Sequence, residues 1–308
     1  MLKKGENKSM KRILITGGTV FVSKFTAEFF VGQGYDVYVL NRGSRPQVRG
    51  VTLIEADRHD IGDKLSELEF DAIIDVTAYN GEDIKDLTDA LGKFGTYIMI
   101  SSSAVYPETG VQPFTEESRL GENRFWGKYG TDKIEAERTL LEKIPDAYIL
   151  RPPYLYGPMN NVYREAFVFD CALADRKFYL PRDGEMKLQF FHVKDLCRII
   201  EKIMETKPSE HICNVGNDRS VTVRQWVQAC YECADKRPEF VSVYEDTPQR
   251  DYFSFYDYEY CLDVNKQKDL IDGLTDLKEG LKECFDWYQT NQEEVRKKPF
   301  IQYIDEHL

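Results

Sequence analysis

"ILITGGTVFVSKF", residues 13–25, decides how this chain is read. Ile13, Leu14 and Ile15 form a short apolar strand that feeds a Thr-Gly-Gly turn at Thr16, Gly17 and Gly18. The stretch that follows has the spacing of an amphipathic helix. Strand, glycine turn and helix in that order aim free backbone N–H groups and the positive helix end at a phosphate. Gly17 and Gly18 supply the turn, and Thr19, Val20, Phe21 and Val22 carry it around the pyrophosphate of a dinucleotide. The glycines expected three and six residues after Gly17 are replaced by Val20 and Ser23. A side chain at Val20 is tolerated if it points away from the phosphates. Ser23 is small enough for close helix–strand packing.

The same rhythm continues outward. "DVYVLNR", "VTLIEAD", "DAIIDVT", "TYIMISSS" and "AYILRPP" read as further strands, separated by amphipathic stretches such as "KFTAEFFVGQG" and "KDLTDALGKFG". Several are continuous apolar runs, as strands covered on both faces should be. The alternation predicts an α/β fold, a doubly wound parallel sheet built of right-handed βαβ units. After Arg151 the pattern changes to a proline-rich loop and then to helices mixed with isolated strands. This predicts a smaller mixed α/β substrate lobe over the carboxyl edge of the sheet. The expected division is a dinucleotide-binding domain over 10–155, with 188–216 returning to it, and a substrate lobe over 156–187 and 217–308. Residues 1–9 read as a disordered leader.

The 308 residues are 42% hydrophobic and 31% charged, enough for a large core. No apolar run approaches a membrane span. A formal net charge of −12 argues against nucleic acid as a partner. Seven scattered cysteines and no signal peptide point to reduced thiols in the cytoplasm. Cys230 and Cys233 form a lone CxxC without the second ligand pair that zinc requires, so they read as core and no metal is expected.

The second strand ends at Asn41 and Arg42, where an NAD site usually presents an acid to the ribose 2′-hydroxyl. A cation there can pair with a 2′-phosphate, which favours NADP over NAD; a solvated arginine is the plainer alternative. In "WGKYGTDKIEAE", Tyr129 and Lys133 stand four apart on a helical pattern and share one face. A nearby ammonium lowers the pKa of a phenol and makes it usable in acid–base work. The pair follows a strand ending in Ser101, Ser102 and Ser103, and a serine there could hold the same substrate oxygen.

Taken together, "TGGT", Asp57, "DVTAY", "SSSAVYP", "YGTDK", "RPPYLYGP", "FFHVKDL" and "NVG" resemble an extended short-chain dehydrogenase/reductase of the NAD-dependent epimerase/dehydratase family, with a Rossmann-type domain. The resemblance implies a catalytic set of Ser102, Tyr129 and Lys133, with Tyr106 as an anchor. It implies that Asp57, with Arg58 beside it, meets the adenine, that Ala78 flanks the cofactor, and that Lys133 also holds the nicotinamide ribose. Ser103, Asn160 and Asn161 fall among the implied sugar contacts, and Arg250 at a diphosphate contact. Ser103 and Ala104 stand where the dehydratases carry an Asp-Glu pair, which argues against 4,6-dehydration. His192 reads as structural, at the interface of the lobes.

Two functions follow. The first is an NAD(P)-dependent epimerase or reductase acting on a sugar, carried on a nucleotide, with a homodimer implied through "KDLTDALGKF" and "TDKIEAERTLLEKI". The second is a catalytically weak binding protein on the same fold, for RNA or redox sensing. It is motivated by the altered glycine turn and by chloroplast members of the family that bind RNA.

Overall fold

The computed structural model describes residues 10–244 and 247–308; the expectation for residues 1–9 lies outside them. In chain order the first half runs β1 (Arg12–Thr16), α1 (Phe21–Gly32), β2 (Asp36–Asn41), β3 (Thr52–Glu55), β4 (Glu69–Asp75), α2 (Gly81–Ala90), β5 (Lys93–Ile100), α3 (Lys128–Lys143) and β6 (Tyr148–Arg151). The second half follows with β7 (Tyr154–Tyr156), α4 (Glu165–Leu173), β8 (Phe178–Pro181), β9 (Lys187–Leu188), β10 (Phe190–His192), α5 (Val193–Thr206), β11 (Ile212–Asn214), β12 (Val221–Thr222), α6 (Val223–Glu232), β13 (Phe240–Val243), α7 (Gln249–Tyr252), α8 (Leu277–Thr290) and α9 (Phe300–His307). No helix of the described residues is long and apolar enough to cross a membrane.

Seven strands form one sheet in the order β11-β6-β5-β4-β1-β2-β3, every pairing parallel. The apolar runs explain this: Ile13, Leu14, Ile15, Ile73, Ile74, Ile98 and Ile149 are all fully buried, as strands covered on both faces require. Their alternate side chains feed two separate clusters. One holds Ile13, Ile15, Ile74 and Ile98 under α1 and α5, and the other holds Leu14, Ile73, Tyr97 and Ile149 under α2 and α3. The chain order reverses between β1 and β4, so the crevice of the fold opens there, at the carboxyl ends of the strands.

A third, aromatic cluster gathers the later elements: Phe167, Phe178, Phe190, Trp226, Phe253 and Tyr288. "YFSFYDYEY", which has strand spacing, is not a strand beyond the end of α7. Tyr252, Phe253, Phe255, Tyr258 and Tyr260 are buried individually in this cluster, so packing rather than sheet pairing uses them.

Two buried ion pairs brace the sheet ends. Arg151 donates to both Glu137 carboxylate oxygens, at 3.0 and 2.6 Å, and to the Tyr106 hydroxyl at 2.9 Å; Tyr106 in turn donates to Asn214 at 2.7 Å. This joins β6 to α3 through Glu137 and to β11 through Tyr106. Arg58 pairs with Asp75 at 2.6 Å, and Asp75 also accepts from Thr16 and Tyr97. Burial works against the charge on Asp75, but the guanidinium outweighs it and holds the carboxyl below its usual value.

A buried charge left without its partner is costly. Arg151→Met should destabilise the chain by about 3–5 kcal/mol, read from the shift of a urea unfolding midpoint. Adding Glu137→Leu should recover most of that loss, and no recovery would mean the pair is not what the site costs.

Candidate active site

β1 ends at Thr16 and the chain turns through Gly17 and Gly18, with φ of +90° and +91°, a conformation that side chains rarely adopt. A Cβ on Gly17 would lie 2.8 Å from Ser23 Oγ, and one on Gly18 would lie 2.7 Å from Val39. Ser23 is thus packed directly against the glycine turn, and its hydroxyl donates to the Val20 carbonyl at 3.0 Å. The helix α1 begins without a side-chain cap, because Val20 at the N-cap has no oxygen to offer. Its first-turn amides therefore lack the partner that a capped helix would give them. Phe21 starts the helix at φ +32°, strained for a residue with a side chain, and such strain collects at functional sites. Glycine turn, uncapped helix start and close packing by Ser23 together fit a pyrophosphate.

A cleft of about 610 Å³ opens beside this turn. Its lining gathers Val20, Phe21, Val22, Val76, Thr77 and Tyr79 with Ser102, Ser103, Tyr129 and Lys133, the Tyr79 and Tyr129 ring centroids lying 6.5 Å apart. Ser102 leads β5 into a short 3-10 turn, its hydroxyl accepting from Ala104 N at 3.1 Å. Gly130 lets α3 approach that turn, since a Cβ there would fall 2.4 Å from the Ala104 carbonyl oxygen. The close approach places Tyr129 and Ser102 together in the lining of the cleft. Lys133, one turn along α3, is 2% exposed and donates to the carbonyls of Ala78 at 2.6 Å and Ile100 at 2.9 Å. Its ammonium also lies 5.2 Å from the Tyr79 ring centroid.

The electrostatics differ from expectation. Tyr129 is 40% exposed as a residue, yet burial of its phenol raises its pKa above the ordinary value. Ser102 and the charge of Arg164 pull it back part of the way; Tyr79 raises it further. Lys133 does not figure among these influences, so its charge is not what governs the phenol in this structure. Burial lowers Lys133 itself to about 8, partly offset by Asp75 and Glu137.

Other expected residues are spent elsewhere. The Asn41 amide donates to Gly17 O and Gln47 and accepts from Gly43 N, so it braces the glycine turn. Arg42 is exposed at the end of β2. Asp57 is exposed and caps His59 N, while the Arg58 guanidinium is committed to Asp75, Thr77 and the Asp83 carbonyl. Ala78 is buried and contributes its carbonyl to Lys133. Ser103 lines the cleft, but its hydroxyl is turned to Tyr260.

Of the expected sugar contacts, only Ser103 lines the cleft; Asn160 and Asn161 do not. Asn160 is buried and donates to Glu165 at 3.0 Å, and Asn161 gives its carbonyl to Arg296 N. Arg250 donates to the Ser254 carbonyl and lies 4.6 Å from the Tyr256 ring centroid, in a neighbouring cleft. The side chains of Asn160 and Arg250 are thus taken by partners five and four residues away. Residues missed by the sequence reading fill the place instead: Phe125, Trp126, Tyr154, Arg164 and Tyr256. "FWGKY" and "NVYRE", directly beside residues already singled out, carried that signal. His192 is fully buried and caps α5 through Nδ1, a structural place; burial pushes it down to about 4.

Comparisons with known proteins agree with this fold. The model of the NAD dependent epimerase/dehydratase family matches residues 13–216. A chloroplast stem-loop binding protein of 41 kDa (form b) from Arabidopsis thaliana is 30% identical over 302 residues, covering 87% of this chain and 78% of its own length. A UDP-glucose 4-epimerase from Neisseria meningitidis is 23% identical, covering 92% of this chain and 98% of its own. Among solved structures, a UDP-N-acetylglucosamine 4-epimerase from Methanobrevibacter ruminantium, in complex with UDP-N-acetylmuramic acid, shares the fold with a TM-score of 0.75 at 18% identity, covering 91% and 99% of the two chains. On the family match, the parallel sheet and the glycine turn, the chain belongs to the NAD-dependent epimerase/dehydratase family, enzymes of the extended short-chain dehydrogenase/reductase type.

Proposed function

We propose that the chain is an NAD(P)-dependent epimerase or reductase acting on a sugar, and that the sugar is carried on a nucleotide. The observation that carries this reading is the convergence of Ser102, Tyr129 and the buried Lys133 in one cleft beside the glycine turn. Gly17, Gly18, Thr19 and the α1 start would hold the pyrophosphate, Arg42 and Asp57 would flank the adenosine, and Lys133 the nicotinamide ribose. Bound there, the nicotinamide would supply hydride acceptance and return. Ser102 holds the substrate oxygen, and Tyr129 takes or gives its proton. A phenol raised by burial gives up its proton reluctantly, and Arg164 is the cation whose charge favours the phenolate when Tyr129 acts as a base. Arg250 and Lys298, in the neighbouring cleft, would meet the diphosphate.

The same reading divides the chain into a dinucleotide-binding part, 10–155 with 188–216, and a substrate lobe over 156–187 and 217–308. It includes a homodimer through α2 and α3. The seven thiols, free among the described residues, support a reducing cytoplasmic setting. Stem-loop RNA binding, after the chloroplast relative, is the second reading. Filter binding at two salt concentrations separates the two: RNA affinity with a clear salt slope would favour it, and no affinity removes it.

Tyr129→Phe should lower turnover on a panel of sugar nucleotides by about 10²–10⁴-fold while dinucleotide affinity holds. An unchanged rate would refute the role given to Tyr129. Since Lys133 is charged only below about 8, kcat/KM should fall as pH rises through that value. Lys133→Arg, charged throughout, should move that limb to higher pH; an unmoved limb assigns it to another group. For the cofactor, Arg42→Ala should weaken NADP at least severalfold, with NAD unchanged, by calorimetry. Equal effects on both would remove the preference for NADP.

A further inference from the structure

Tyr79 is a half-exposed aromatic that core packing does not explain. It is 52% exposed and belongs to none of the three apolar clusters of the described residues. It lines the cleft directly after Ala78, whose carbonyl accepts from Lys133 at 2.6 Å. Its backbone is fixed. The Tyr79 amide donates to Asp83 at 2.7 Å, the Asn80 amide donates to the same carboxylate oxygen, and the Asn80 side chain caps α2 by accepting from Asp83 N. Among the described residues no hydrogen bond reaches its hydroxyl. Its ring, by contrast, is engaged. The Lys133 ammonium lies over it, 5.2 Å from the centroid, and the Tyr129 ring is 6.5 Å away and tilted by 55°.

An ammonium has three N–H donors. On Lys133 the carbonyls of Ala78 and Ile100 accept at 2.6 and 2.9 Å. The face of an aromatic ring is negative, and it attracts a cation most strongly where water is excluded. Lys133 is 2% exposed, so that condition is met. A neutral amine gains no such attraction, so the ring favours the charged form. The two carbonyls and the ring are the direct partners of the ammonium among the described residues. Further charges act on it from the elements around it: Asp75 of β4, Asp83 of α2 and Glu137 of α3 favour the ammonium, while burial and Arg58 oppose it.

We propose that Tyr79 is a positioning residue: the face of its ring, together with the carbonyls of Ala78 and Ile100, seats the Lys133 ammonium in the cleft. The inference rests on Lys133 as the working cation of the proposed function. The ring is what the seat needs, and the hydroxyl is not. One short segment, Ala78-Tyr79, thus offers a carbonyl and an aromatic face to the same charge.

Carbon NMR of the full chain, isotope-labelled at the lysine ε-carbons, tests this, with Lys133→Arg identifying the Lys133 signal. In the wild type that signal should titrate at about 8. Tyr79→Leu should lower the titration by about half a pH unit or more, the range of a desolvated cation–π contact. Tyr79→Phe keeps the ring and should leave the titration in place. Tyr79→Gln repeats the ring-free contrast in case the leucine variant does not fold. An unmoved titration in the ring-free variants would overturn the proposal. So would an equal fall in Tyr79→Phe, which would assign the effect to the hydroxyl. The titration needs no substrate, so it decides the matter even if the sugar-nucleotide reading fails. With a substrate in hand, the alkaline limb of kcat/KM should move to lower pH in Tyr79→Leu and stay in place in Tyr79→Phe. A lowered titration with an unmoved limb would uphold the seat and refute the role of Lys133 in turnover.

Discussion

A buried ammonium organises this site. Lys133 sits 2% exposed between the carbonyls of Ala78, past the end of β4, and Ile100, at the end of β5. These are carbonyls that strand ends leave unpaired, and an ammonium with three donors satisfies both at once. The contact draws α3 down onto the carboxyl edge of the sheet. Tyr129, one turn earlier on the same helix, is then fixed in the cleft with Ser102. The cost is visible in the lysine itself, whose pKa falls to about 8 under burial. One interaction thus sets both the position of the helix and the charge state of the cleft near neutral pH.

The surrounding structure makes that cost bearable. Arg58–Asp75 lies on one side and Arg151–Glu137 on the other, each buried and each tied to a strand end. The carboxylates Asp75 and Glu137 also favour the charged form of Lys133, against burial and the charge of Arg58. In the same cleft, the glycine turn and the strained Phe21 hold the start of α1 without a side-chain cap. The molecule brings the uncapped start of α1 and a desolvated cation into one cleft, which suits an anionic dinucleotide.

The sheet was legible because its signals are local. Apolar runs at Ile13–Ile15, Ala72–Ile74 and Tyr97–Ile100 specify buried parallel strands wherever they fall, and the Thr-Gly-Gly turn marks the crevice. The helical spacing of Tyr129 and Lys133 was legible for the same reason. The electrostatic relation between them was not, because it depends on which carbonyls enclose the ammonium. Asn160 and Arg58 illustrate the limit from the other side. Each stands at a position that the family pattern ties to a ligand, yet each is consumed by a carboxylate that no spacing rule singles out: Glu165 for one, Asp75 for the other. Arg164 and Tyr256 reach the cleft only through tertiary packing of the second lobe, which no periodicity encodes.

The most direct test is uptake of a pyridine dinucleotide by the intact chain, followed by native mass spectrometry, with Gly18→Val as the contrast. A valine there would meet Val39 in a backbone conformation it cannot readily adopt. The account predicts one NAD or NADP per wild-type chain, and none on Gly18→Val at the same concentration with its circular dichroism unchanged. A wild-type chain that takes up neither dinucleotide at millimolar concentration would contradict it.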